Sequence, residues 1–153
     1  MLNAFNNRPA VQRDLRCART DDAVLRTGAT VYSVAQARAI VRRMAEVTAS
    51  MDPDAFANGH TEDCLVCFVR GPTLIGRRAV RDYMAARLTP ERVGFTCEKT
   101  LRTMNGNVLG VQWTNTWNDA RNDKNIRTRG VGFWIMQGGQ VARCDGAVNF
   151  WED

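Results

Sequence analysis

The chain has 153 residues, 44% hydrophobic and 24% charged, which is typical of a single globular domain with a sizeable core. Its net charge of +5 comes from two lysines and many arginines spread along the sequence. Because nucleic-acid binders concentrate basic charge on one face, this scatter does not favour nucleic acid as a partner. No apolar run is long enough to span a membrane, and the amino terminus lacks a secretory signal. We therefore expect no membrane partner and a cytoplasmic location.

Five cysteines, an odd number, favour free thiols over a disulfide framework in a chain without an export signal. Cys64 and Cys67 have the spacing of half a zinc site, but they fall in a predicted strand, where positions three apart face opposite ways. No second pair or histidine cluster completes four ligands, so we interpret both as small buried hydrophobic residues. We expect neither a metal nor a cofactor.

Residues 1–30 form a predicted N-terminal extension, either an extra amphipathic helix or a mobile arm, and residues 31–153 form the main domain. The first helix of this domain begins after Ser33, because Ser33 and Gln36 form a capping box. From Val34 onward an apolar residue recurs every three or four positions, which predicts one buried helix face.

Two more helices and six strands follow. Asp52 as N-cap and Pro53 at the first helical position start a short second helix, and a third is predicted from Arg77 to about Leu88. The strands are predicted at residues 64–70, 74–75, 94–104, 107–117, 126–137 and 140–151, with hairpin turns at 105–106 and 138–139. This order predicts an α+β fold in which three helices lie on the concave face of a curved, mixed or antiparallel sheet.

The stretch Val111–Asn118 alternates with a side-chain period of two, as a half-buried strand does. Trp113, Asn115 and Trp117 then share one face, which sets a carboxamide between two indoles on the side expected to be buried. A buried amide needs hydrogen-bond partners, so either the protein or a ligand must supply them. Asn115 and Asn149 are therefore either ligand contacts or a structural amide pair.

Side-chain parity assigns residues of several strands to the concave face. They are Val66, Phe68, Trp113, Asn115, Trp117, Thr128, Gly130, Gly132, Trp134, Asp145, Ala147 and Asn149. The glycines are expected to leave room where side chains would otherwise fill this face. Three indoles with two amides suit a planar or polycyclic apolar ligand, although core packing accounts for the three tryptophans as well.

Three local patterns, in this element order, resemble the nuclear transport factor 2-like superfamily, which includes the SnoaL-like polyketide cyclases. They are Met-Asp-Pro-Asp-Ala-Phe with Thr-Glu-Asp-Cys (51–56 and 61–64), the segment 72–83 with its Gly-Arg-Arg-Ala-Val, and Phe-Trp-Ile-Met-Gln-Gly-Gly-Gln-Val-Ala-Arg (133–143). The resemblance spans residues 33–151 and implies a cone-shaped sheet whose open end holds a mostly apolar pocket. It implies no single activity, because the superfamily contains isomerases, epoxide hydrolases, dehydratases, cyclases and noncatalytic subunits.

The resemblance also implies where known catalytic groups would fall. The Arg and Asp on the middle strand of the epoxide hydrolases fall on Trp113 and Asn115, and their second Asp falls on Asn149. The base of the isomerases falls near Phe68 and their helix-one Tyr near Met44, so both positions are expected to line the pocket instead. We therefore expect neither known machinery in this chain.

Asp145 is the predicted acid–base group, with His60 or Tyr83 as its partner. If Asp145 is buried, desolvation favours its protonated form and suits it to proton transfer. Each residue also has a plainer interpretation. Asp145 is then an exposed carboxylate paired with Arg143 or Arg129, His60 is a capping or surface histidine, and Tyr83 is a packed side chain.

The predicted function is a small-molecule enzyme for a hydrophobic aromatic, polyketide- or terpenoid-type substrate. It would act by cofactor-independent acid–base chemistry, as a cyclase, isomerase or dehydrating lyase, with Asn115 and Asn149 holding a carbonyl or enolate oxygen. The alternative is a noncatalytic ligand-binding protein or accessory subunit with the same fold. Because the last two strands are apolar on both faces, we also expect a homodimer through the convex face of the sheet.

Overall fold

A computed structural model of the chain describes residues 30–69 and 71–152. The helices in this part of the chain are α1 (Val34–Ala49), α2 (Pro53–Asn58) and α3 (Arg77–Ala85). The strands are β1 (His60–Phe68), β2 (Thr73–Ile75), β3 (Arg92–Asn105), β4 (Val108–Asp119), β5 (Lys124–Gln137) and β6 (Gln140–Glu152). The predicted extension lies, except for residue 30, outside the described residues.

The starts of the first two helices are confirmed at the level of single hydrogen bonds. Ser33 Oγ accepts from the backbone N–H of Gln36 at 3.2 Å, and Gln36 Oε1 accepts from the backbone N–H of Ser33 at 2.8 Å. Asp52 Oδ1 accepts from the backbone N–H groups of Asp54 and Ala55 at 2.9 and 3.1 Å. These caps satisfy donors that a helix leaves without intrahelical partners, which is why each helix begins where it does.

The strands form one mixed six-stranded sheet in the order β2-β1-β6-β5-β4-β3. β1 runs parallel to β6, and every other pairing is antiparallel. The α+β class, the two hairpin turns and the four long strands are confirmed. Two boundaries differ by three or more residues: β1 begins at His60, before the predicted Cys64, and α3 ends at Ala85, before the predicted Leu88.

The core lies between the helices and one face of the sheet, which we call the inner face; the opposite face is the outer face. Ala37, Val41 and Met44 of α1 and Val80 of α3 meet inner-face side chains such as Val111 in one buried cluster. Burial of this apolar surface holds the layers together. The first member of the predicted α1 stripe does not take part, since Val34 is 50% exposed.

The predicted face of β6 is wrong. Trp134 of the inner face pairs with Cys144, whereas Asp145 pairs with Phe133 and Asn149 pairs with Arg129. Asp145 and Asn149, and Ala147 between them, therefore lie on the outer face. The cause is that β6 carries apolar residues at both parities, so alternation alone cannot assign its faces. Its pairing with β5 also shifts register after Ile135.

Cys64, Cys97 and Cys144 have free thiols, as expected, but Cys67 is disulfide-bonded, so the interpretation of Cys67 as a free buried thiol is wrong. Cys64 and Cys67 do face opposite ways, with Cys64 on the inner face. No group of three or more His, Cys, Asp or Glu side chains among the described residues could hold a metal ion. None of the three helices described above is both long and apolar enough to cross a membrane.

Candidate functional site

Asn115 lies at the centre of β4, on the inner face, with only half of its amide satisfied. Its Nδ2 donates to Thr128 Oγ1 on the neighbouring strand at 3.0 Å. Its Oδ1 is buried and accepts no hydrogen bond from any described residue. Leaving a buried polar atom without a partner costs about 1–3 kcal/mol, so the oxygen is a candidate acceptor for a ligand. Asn149 cannot form the suggested amide pair, because it lies on the outer face.

The space expected beside the inner-face glycines is occupied by the indole of Trp113. A Cβ added at Gly130 would lie 2.1 Å from Trp113 Cε2, and a Cβ at Gly132 or Gly146 would lie 3.3 or 3.2 Å from Trp113 Cη2. The glycines of β5 and β6 therefore let a large ring lie flat against the sheet. The expectation that they leave room for a ligand is wrong; Trp113 forms the floor of the inner face.

Most of the predicted lining residues come together around this floor. Val66, Trp134 and Met44 are buried in the same cluster as Trp113, and Phe68 packs against it. The ring of Tyr83 on α3 stacks on Phe68 with a centroid distance of 5.9 Å. The Tyr83 hydroxyl makes no hydrogen bond to a described residue.

Trp117 belongs to a different group of side chains, further along β4. Its ring lies 6.0 Å from Phe95 and 6.3 Å from Phe150, and the Arg92 guanidinium lies 4.2 Å from its centroid. Burial lowers the pKa of Arg92, which remains a cation over an aromatic face. Trp117 shares the inner face with Asn115 but is not part of the buried cluster around Trp113.

His60 is buried, not a surface residue, with 4% of its surface exposed at the start of β1. Its Nδ1 lies 3.2 Å from the carbonyl oxygen of Phe56. Because a carbonyl only accepts, Nδ1 carries the proton in the neutral ring and Nε2 is left with a free lone pair. Burial is the main cause that lowers the pKa of His60 to about 4, and the nearby charges of Lys99 and Arg77 lower it further. His60 is therefore neutral at pH 7.

Sequence reasoning missed Lys99, which points into the inner face. It pairs with Trp113 across β3 and β4, and its Nζ lies 5.6 Å from the Trp113 ring centroid. Burial lowers the pKa of its ammonium group, an effect that Cys97 opposes. The parity of β3 could have revealed it, because Cys97, Lys99 and Leu101 alternate as one face of a strand.

Asp145 matches its plainer interpretation. Arg143 Nε donates to Asp145 Oδ2 at 2.8 Å on the outer face, and the Asp145 side chain is 44% exposed. The structure thus separates Asp145 from His60 and Tyr83, and the predicted proton-shuttling set does not assemble. Burial raises the pKa of the Cys144 thiol, which occupies the inner position beside Asp145, to about 12, so Cys144 is no substitute base or nucleophile at pH 7.

The outer face carries a groove of about 590 Å³ over β3, β4 and β5. Its lining is mostly polar and consists of Thr96, Glu98, Gln112, Thr114, Thr116, Arg127, Arg129 and Trp151. Apolar side chains stand beside it, since Val131 and Phe133 are 54% and 57% exposed. This is the face that the sequence assigns to subunit contact.

Comparison with known proteins identifies the family of this chain. A family model described as a SnoaL-like domain matches residues 41–144, about two thirds of the chain. No curated protein matches the chain.

Solved structures share the fold at low sequence identity. SalBIII, an epoxide hydrolase/cyclase-like enzyme of pyran ring formation in the polyether salinomycin, is 18% identical, with a TM-score of 0.62 over 74% of this chain and 94% of its own. An LEH-like epoxide hydrolase from M. tuberculosis is 14% identical, with a TM-score of 0.60 over 75% and 84%. A protein with a ketosteroid isomerase-like fold from Catenulispora acidiphila is 14% identical, with a TM-score of 0.61 over 70% and 82%. The chain belongs to the SnoaL-like domain family.

Proposed function

We propose that this protein is a cofactor-independent enzyme that acts on an apolar small molecule of aromatic, polyketide or terpenoid type, which carries a carbonyl group and a hydroxyl group that can donate a hydrogen bond. The observation that carries the proposal is the buried Oδ1 of Asn115, which accepts no hydrogen bond from a described residue and lies on the same face as the Trp113 and Trp134 rings. Such an arrangement suits an apolar ligand that donates one hydrogen bond. Isomerase, cyclase and epoxide-hydrolase chemistries on related folds agree with this substrate class. We infer that the sheet is cone-shaped, with the helices on its concave side, from the same similarity to known folds.

The acid–base roles in this proposal differ from those expected from the sequence. His60 replaces Asp145 as the proposed proton acceptor, because the Phe56 carbonyl oxygen holds the proton on Nδ1 and leaves Nε2 as the nitrogen with the lone pair. Tyr83, whose ring stacks on Phe68, is the proposed proton donor. Lys99 supplies positive charge near a developing enolate oxygen.

Ligand binding is tested by tryptophan fluorescence, since three of the four tryptophans lie on the inner face. Apolar aromatic ketones and terpenoid carbonyl compounds that carry a hydroxyl group should quench the emission saturably. The variant Asn115→Leu/Thr128→Val removes both partners of the inner pair, so its stability should change little while Kd rises about tenfold. Asn149→Leu, on the outer face, is the matched control and should bind normally. Equal Kd values for all three proteins would contradict the proposed site.

Catalysis is tested by NMR detection of deuterium exchange at the carbon next to the carbonyl of any ligand that binds. We expect the protein to accelerate exchange and His60→Asn to slow it at least about a hundredfold, the typical contribution of a general base. His60→Asn keeps an N–H that can donate to the Phe56 carbonyl, so it removes the base with little change in packing. Exchange that is unaffected by this variant would remove His60 from the mechanism.

A noncatalytic ligand-binding protein is the second candidate. It is favoured by the placement of Asp145 and Asn149 on the outer face, which leaves both without access to an inner-face ligand. Saturable quenching without deuterium exchange, in a panel that includes both aromatic and terpenoid ketones, would support this candidate over the enzyme.

We also propose that the protein is a homodimer through the outer face. Phe133 and Val131 are exposed there, and an exposed apolar patch on a sheet favours a second layer. The groove beside them carries Glu98 together with Arg127 and Arg129, so a two-fold axis can bring opposite charges together. Light scattering should give the dimer mass for the native chain and the monomer mass for Phe133→Glu. A monomeric native chain at micromolar concentration would refute the proposal.

A further inference from the structure

Lys99 differs in its surroundings from the only other lysine of the chain. Lys124 lies at the surface, where its Nζ forms an ion pair of 2.6 Å with Glu152 and its side chain is 48% exposed. Lys99 points into the inner face, over the Trp113 indole. Among the described residues no carboxylate forms an ion pair with it. The ammonium group therefore lacks the carboxylate partner that buried charges usually have, and its contacts are the Cys97 side chain and the Trp113 ring.

A buried polar atom that makes no hydrogen bond to a described residue lies on the same face. Cys97, two residues before Lys99, pairs with Asn115 across β3 and β4, so Lys99 and Asn115 occupy diagonal positions of one face. The buried Asn115 Oδ1 accepts no hydrogen bond from a described residue. Within the described part of the chain, the inner face therefore carries an amine without a carboxylate partner and, at a diagonal position, a hydrogen-bond acceptor without a donor.

We propose that Lys99 captures an apolar aldehyde or ketone as a Schiff base on the inner face, with Asn115 as the acceptor for the hydroxyl group of the intermediate. This inference rests on the proposed function, because it uses the same face and the same class of substrate. It assigns to Lys99 a covalent role that goes beyond an electrostatic one.

The reaction balances without an external oxidant or reductant. The lone pair of Lys99 Nζ forms a bond to the carbonyl carbon, and the π pair of the carbonyl moves to its oxygen. The oxygen takes a proton and the nitrogen gives one up, so a neutral carbinolamine forms. The carbinolamine hydroxyl can donate to Asn115 Oδ1. The hydroxyl then takes a second proton and leaves as water, the nitrogen lone pair forms the carbon–nitrogen double bond, and the nitrogen gives up its remaining proton.

Desolvation also favours the reactive form of the amine. Burial lowers the pKa of Lys99, and each unit by which a pKa falls raises the neutral fraction of an amine at pH 7 about tenfold. The neighbouring His60 is neutral at that pH and adds no positive charge.

The test is reductive trapping of the full chain with naphthaldehyde and sodium borohydride at pH 7, followed by intact and peptide mass spectrometry. We expect one adduct, with the mass of the aldehyde less one oxygen, on Lys99. Lys124 is the internal control and should react at least about tenfold more slowly. Lys99→Arg keeps the charge but cannot form the imine, and Lys99→Met keeps only the apolar stem, so both should lose this adduct.

Tryptophan quenching by the same aldehyde separates the two proposals. Quenching by the native chain and by Lys99→Arg, with trapping at Lys99 only in the native chain, supports both. Saturable quenching without an adduct on Lys99, or with labelling of Lys99 no faster than that of Lys124, overturns the Schiff base and leaves the proposed binding site intact. Absence of quenching and of trapping with every aromatic and terpenoid carbonyl compound tested overturns both.

Discussion

Acidification should destabilise this protein through a single buried side chain, His60. In the unfolded chain a histidine binds a proton below pH 6.5, whereas in the folded protein burial lowers the pKa of His60 to about 4. Between these two values the unfolded state binds more protons, so the free energy of unfolding falls as the pH falls. The contribution is negligible at pH 8, about 2 kcal/mol at pH 5 and about 3 kcal/mol at pH 4.

The assay is urea unfolding followed by circular dichroism at pH 8, 6, 5 and 4 for the native chain and for His60→Asn. The variant cannot take up the proton, and its amide nitrogen can still donate to the Phe56 carbonyl. We expect the native chain to lose about 2 kcal/mol more than the variant between pH 8 and pH 5. Carboxylates that titrate near pH 4 affect both proteins and cancel in the comparison.

The deciding quantity is the difference between the two proteins in how steeply the free energy of unfolding changes with pH, not the stability of either protein at one pH. Parallel curves from pH 8 to pH 4 would mean that His60 is solvated or protonated in the folded state. The same result would remove the neutral base from the proposed mechanism, because that role depends on the burial of His60.

Two further predictions concern packing and capping. Gly130→Ala should lower the free energy of unfolding by about 1–3 kcal/mol, because its Cβ would meet the Trp113 ring at 2.1 Å. When Gly130→Ala and Trp113→Leu are combined, the loss of stability should be smaller than the sum of the two single losses. Additive losses would contradict the contact. In thermal unfolding, Ser33→Ala should lower the free energy of unfolding by about 1 kcal/mol, and Ser33→Asp should lower it much less because Asp keeps a side-chain oxygen that can cap the helix. Equal losses for the two variants would contradict the cap.

The candidate site could be predicted only in part. The placement of Trp113, Asn115 and Thr128 on one inner face followed from strict alternation within β4 and from the short loop that joins β4 to β5. Asp145 and Asn149 were assigned to the wrong face, because β6 is apolar at both parities and its register with β5 shifts. Lys99 was missed because the sequence treats a lysine as a surface charge unless its strand face is known.

The sequence by itself determined the local structure: the capping box at Ser33, the Asp52-Pro53 helix start, the Gly-containing hairpins and the alternation of β4. These features depend on residues a few positions apart, whose interactions are formed by the local chain alone. Only the tertiary structure decided that the Trp113 indole fills the space beside Gly130, that His60 is buried and neutral, and that Lys99 points inward with no carboxylate partner among residues 30–69 and 71–152. Each of these depends on the register between strands or on packing between layers, where a shift of one residue exchanges the two faces of a strand.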